Sequence, residues 1–172
     1  MPRAMDDTLG NDLRRADSPH AILAFLTLDN EALADPIRIV SDPLDFVVDG
    51  DTFVGCPFEV SVVTDGESHP TAQLRVQNVT REVGDAVRAA VGRITADIAI
   101  RSTAGFDLSV VPRVETDGGL ILSYAHFELV EVTVDDVQVS ARLMMRDYSQ
   151  EPWPAGRAGS ARRWSPSSRP TT

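Results

Sequence analysis

Phe46-Val47-Val48-Asp49-Gly50-Asp51-Thr52-Phe53-Val54 is the stretch that decides the fold class. Two strand-like runs flank an Asp-Gly pair, and Asp-Gly suits a type I′ turn because both central residues of that turn need positive φ. The stretch therefore predicts a tight antiparallel hairpin. The same period of two recurs on either side of it. Downstream, Phe58, Val60 and Val62 alternate with Glu59 and Ser61; past the polar loop Asp65 to Pro70, Ala72, Leu74 and Val76 alternate with Gln73, Arg75 and Gln77. Ile94, Ala96, Ile98 and Ile100 do the same, as do Val137, Val139, Ala141 and Leu143. Alternation with recurring turn chemistry reads as antiparallel, half-buried strands.

Two segments read as helix. Arg81 to Val91 sets Val83, Val87, Ala90 and Val91 at helical spacing, with Thr80 as cap and Glu82 in the first turn. Further upstream, Ser18-Pro19 has the form of a helix start, although the helix could begin earlier, and Ile22, Leu23, Phe25, Leu26 and Leu28 follow as a buried run ending near Asp29-Asn30. Asp117-Gly118-Gly119 marks a turn before the long run Leu120 to Val134, whose alternation slips around Glu128 to Glu131, as a β-bulge would make it do. The expected architecture is mainly β, a β-sandwich or half-open barrel of about eight strands with two helices, and a tail-tube-like β-domain is one form it could take.

At 172 residues the chain suits about one domain with a core of its own. It divides into an N-terminal segment (1–17), a β-rich domain (18–150) and a Pro/Arg-rich arm (151–172). No apolar run approaches the roughly 20 residues of a membrane span. The first 18 residues carry both charges and no apolar segment, so they do not read as a secretory signal, and synthesis in the cytoplasm is expected. Cys56 is the only cysteine, which excludes an intrachain disulfide; its expected role is that of a small apolar residue. The 16 basic residues are all Arg and are outnumbered by 26 acids. Every acid precedes residue 157, while residues 157–172 hold four Arg alone, so the body repels nucleic acid and the tail does not.

The motifs of catalysis are missing from the sequence. His20, His69 and His126 have no spacing that would aim two imidazoles at one metal. Asp135-Asp136 falls between two strands, where a polar turn is the ordinary use. Glu67-Ser68-His69 are neighbours in a loop, whereas triad members converge from separate elements. No enzyme activity, metal or cofactor is expected. The arm offers something different: Glu151, Pro152, Trp153, Pro154, Arg157 and Trp164 combine aromatic anchors, a Pro-restricted backbone and Arg. The arm reads as extended or disordered in an isolated monomer and suited to docking on a neighbouring subunit, where Trp153 would fill a pocket and Arg157 make an ion pair.

Three blocks, PIRIVSDPLDFVVDGDTFVGCPFEV (36–60), AQLRVQNVTREVGDAVRAA (72–90) and RDYSQEPWPAGR (146–157), follow one another in an order that resembles an uncharacterised family of long-tailed (siphovirus-like) phage tail proteins. That family closes on an EPFPAGR-like string, here with Trp153 in place of Phe, and the present chain continues beyond it. The resemblance implies a structural role in the virion tail, at the tail tip or distal tail, as a homo-oligomeric ring subunit with six copies as the first expectation. Neighbouring tail-tube and tail-tip proteins would be its partners, with no membrane and no specific nucleic acid, although genome DNA would pass through the lumen. The alternatives are an assembly chaperone or adaptor absent from the mature virion, a tail-associated hydrolase, and an unrelated binding module.

Overall fold

The computed structural model describes residues 14–15, 17–61, 71–77, 82–90, 92–116 and 119–145. Within them the chain is mainly β. Its strands are β1 (Ile22–Asp29), β2 (Ile37–Val40), β3 (Phe46–Val48), β4 (Asp51–Gly55), β5 (Phe58–Val60), β6 (Thr71–Gln77), β7 (Thr95–Ser102), β8 (Phe106–Asp107), β9 (Arg113–Glu115), β10 (Leu120–Val134) and β11 (Gln138–Met145), with helix α1 (Glu82–Ala89) between β6 and β7. The fold class expected from the alternation is the one adopted, with eleven strands where about eight were expected.

The Asp-Gly hairpin forms in the expected register, pairing Phe46 with Phe53, Val47 with Thr52 and Val48 with Asp51. Asp49 and Gly50 take φ of 52° and 87° at its tip, the positive values a type I′ turn demands. The hairpin belongs to a row of strands in the order β5-β6-β11-β10-β7-β1-β2-β4-β3-β9-β8. Only Cys56 and Pro57 separate β4 from β5, yet β4 pairs with β2 and β5 pairs with β6. One continuous run from Asp51 to Val60 thus joins the two ends of the row β6-β11-β10-β7-β1-β2 and curls it into a barrel-like closure. Cys56 N–H donates to Val40 O at 3.0 Å and Gln77 N–H donates to Pro57 O at 3.2 Å, carrying the seam across the junction.

The closure encloses a large aliphatic core built from Leu26, Leu28, Ile39, Phe58, Leu74, Val76, Ile98, Phe127, Val139 and Leu143, all buried. Val87 of helix α1 and Ala90 just past its end pack against it. Val91 and the side chain of Val83, assigned to the same helical face, lie outside the described residues, as do Thr80 and the side chain of Glu82. A second, smaller core forms where β3, β4, β8 and β9 fold against β1 and β2. It contains Leu23, Phe25, Val40, Phe46, Val48, Phe53 and Phe106.

The first helix expected from the sequence is corrected here: residues 22–29 form strand β1, paired with β2 on one side and with β7 on the other. Its two faces explain the misreading. Leu26 and Leu28 enter the large core while Leu23 and Phe25 enter the small one, so both faces are apolar and the period of two disappears from the sequence. The same division splits Ile39 from Val40 on β2. A second correction concerns Val137, expected to point inward with Val139, Ala141 and Leu143. It is 75% exposed, because it sits in the turn before β11 starts at Gln138.

The slip expected around Glu128 to Glu131 is present as a register shift between Val130 and Thr133 against β11, with Glu131 at φ 53°. Two further shifts, marked by no pattern in the sequence, lie against β7: one between Leu120 and Leu122, and one between Tyr124 and Phe127, where His126 takes φ 64° and its N–H donates to Asp97 Oδ1 at 2.7 Å. With these shifts one strand pairs with β7 over its first half and with β11 over its second.

Candidate subunit interface

All six arm residues singled out from the sequence, Glu151, Pro152, Trp153, Pro154, Arg157 and Trp164, lie outside the described residues, as do His69, the 62–70 loop with Glu67-Ser68-His69, Asp117-Gly118 and residues 1–13. The described chain ends at Met145, paired with Phe127. There β11 runs antiparallel to β10 and is heading toward Leu120, the end of the barrel where the small sheet sits.

On its inner side, the small sheet is held by rings. Phe25 meets Phe46 and Phe53 edge-on at centroid distances of 5.6 and 5.2 Å and stacks on Phe106 at 5.7 Å. Such pairs add about 0.5–1.5 kcal/mol each beyond the area they bury. Two guanidinium groups cover this cluster. Arg113 lies 5.3 Å from the Phe46 ring centroid and 3.9 Å from Asp42. Arg101 lies 6.0 Å from the Phe25 centroid, pairs with Glu115 and reaches to within 4.0 Å of Asp49. Arg101 is only 12% exposed, and Glu115 balances its buried charge.

The loop before β3 is tied down by two carboxylates: Leu44 N–H donates to Asp42 Oδ1 and Gly55 N–H donates to Asp45 Oδ1 at 2.8 Å. The approach at Gly55 is so close that a Cβ there would stand 2.6 Å from the Pro43 carbonyl carbon, which only glycine avoids.

The outer side of the same sheet carries exposed apolar residues. Val54 is 45% and Val114 42% exposed, and the connection from β8 to β9 adds Leu108, Val110 and Val111, the last 73% exposed. Leu44 stands just before β3, which runs parallel to β9 in the register Phe46 to Arg113 and Val47 to Val114. Val47, Val114 and Leu120 line one open depression there together with Asp49, Gly50, Arg101, Glu115 and Thr116. Exposed apolar residues gathered on one short sheet and its adjoining loop point to an interaction site. Sequence reasoning passed over this face; the signal was Leu108-Ser109-Val110-Val111-Pro112, an apolar run too short and unalternating for a half-buried strand.

The groups that could have carried chemistry are placed as follows. Asp135 Oδ1 accepts N–H donors from Val137 and Gln138 at 2.7 and 2.6 Å, so the Asp135-Asp136 segment is a turn, and these bonds hold the Asp135 carboxyl below its ordinary range. Asp107 is lowered by hydrogen bonds from the Ser109 hydroxyl and N–H. Cys56 is half-buried against the large core, its thiol faces Gln77 O at 3.4 Å, and burial pushes its pKa up. His20 sits just before β1 and His126 on the β10 kink. Among the described residues no group of three or more His, Cys, Asp or Glu is gathered to hold a metal ion, and no helix is long and apolar enough to cross a membrane.

A family model described as a domain of unknown function, DUF1833, matches residues 8–157. No curated protein matches the chain.

Proposed function

The chain belongs to the DUF1833 family, and we propose that it is a non-enzymatic structural subunit of a bacteriophage tail, one copy in a closed ring at the tail tip or distal tail. The observation that carries the structural part of this reading is the outer face of the small sheet: exposed valines and leucines on a rigid β-framework suit a surface that another protein covers. The tail assignment rests on the resemblance of residues 36–60, 72–90 and 146–157 to long-tailed phage tail proteins.

A ring needs a heterologous contact, in which one surface of a copy meets a different surface of the next, and the rotation between them sets the order, with six as our expectation. An arm and a face are two such surfaces. The excess of 26 acids over 16 Arg also fits a lumen through which DNA slides without sticking. Such a subunit would be made in the host cytoplasm, reside in the virion tail, need no cofactor, and contact its own copies and the adjoining tail proteins.

Electron cryomicroscopy of purified virions, with the tail tip traced and its copies counted, tests the reading. A closed ring containing this chain, with acids outnumbering Arg on the channel wall, is the expected result. Absence of the chain from the particle, checked by mass spectrometry, would replace the proposal with an assembly chaperone or adaptor.

A further inference from the structure

We propose that the outer apolar face of the small sheet, formed by Val54, Leu108, Val110, Val111 and Val114, is the receptor for the C-terminal segment, residues 151–172, of a second copy of this chain. The inference deepens the ring-subunit reading and rests on it for the presence of neighbouring copies.

Three observations select this occupant. The first is charge. From Ser41 to Gly55 the chain carries Asp42, Asp45, Asp49 and Asp51 and no basic residue. With Asp107 and Glu115, six carboxylates belong to the small sheet and its loops; Arg38, Arg101 and Arg113 pair with four of them, Asp42, Asp49, Asp51 and Glu115, and the balance is an excess of three acids. The segment is the complement: beyond Glu151 it holds Arg157, Arg162, Arg163 and Arg169 and no acid. The second is chemistry, since both tryptophans of the protein, Trp153 and Trp164, lie in that segment and are the kind of anchor that fills an apolar depression. The third is reach. The chain leaves the described fold at Met145, and 27 residues follow. At about 3.3 Å per residue that length spans far more than the body of one domain.

The pair of tryptophans also makes the test direct, because intrinsic tryptophan emission reports this segment alone. Full-length protein is diluted through its association range while emission wavelength and sedimentation are followed together. The expected result is a shift of emission to shorter wavelength that follows association, weakens with added salt, and moves to at least about tenfold higher protein concentration in Val111→Arg, a change at a site too exposed to disturb folding. The variant Trp153→Ala should weaken association in the same assay.

Emission already shifted and independent of concentration would overturn the proposal by placing the segment on its own body. Association with unshifted emission would overturn it differently: the copies would meet elsewhere, and the ring reading would survive. Monomeric protein with unshifted emission would remove the docking claim, leaving the ring to be judged from the particle.

Discussion

The two cores of this domain are built on opposite plans. The large one is aliphatic apart from Phe58 and Phe127, draws on seven strands and is enclosed by a curled sheet. The small one is a knot of four phenylalanines under short strands of two to five residues, with Arg101 and Arg113 over the rings. The large core is secured by closure, because strands on all sides fix each other's register. The small core is secured by ring geometry and ion pairs at an open edge. Stability is thus concentrated in the enclosed core, while surface for partners lies at the small sheet, which has one face on the aromatic knot and exposed apolar residues on the other.

If that division is energetic as well as geometric, Phe127→Ala should be the most damaging change. Its fully buried ring touches the centre of the large core, and the loss should be about 3–5 kcal/mol. Phe46→Ala empties an equally buried site in the small core. Denaturant melts with native-state hydrogen exchange should show Phe127→Ala lowering protection everywhere, and Phe46→Ala lowering it first in β3, β8 and β9. Uniform loss in both variants would mean the cores form one cooperative unit.

The junction offers a sharper probe. Gly55→Ala should cost about 1–3 kcal/mol, since its Cβ would press on the Pro43 backbone and push the 42–45 loop off β4. Amides of β4 should broaden or shift in NMR spectra, while those of β10 and β11 stay in place. Unchanged stability would mean that the loop gives way freely and does not hold the two cores together.

The smallest expected effect is pH-dependent and belongs to the barrel alone. The turn N–H groups hold the Asp135 carboxyl below its unfolded value, so the stabilisation is present above the unfolded pKa and is lost as pH falls through the folded one. Asp135→Ala should therefore lower the thermal midpoint slightly at neutral pH, and the gap from the native chain should close in acid below the ordinary carboxylate range. A gap independent of pH would point to turn geometry rather than charge.

Asp49-Gly50 dictated a hairpin because few residues accept positive φ, and alternation along β6, β7 and β11 dictated strands because one face of each meets solvent. The sequence by itself also showed that the basic, tryptophan-bearing end differs from the acidic body. Tertiary structure alone decided that residues 22–29 are a strand, because burial on both faces erases the periodicity from which strands are read. It alone decided the closure through Cys56-Pro57 and the gathering of Phe25, Phe46, Phe53 and Phe106 from four strands. Those contacts depend on pairings between distant segments, which no local pattern encodes. The exposed face around Val111 has the same origin, since an apolar residue reads alike in sequence whether a core covers it or leaves it free for a partner.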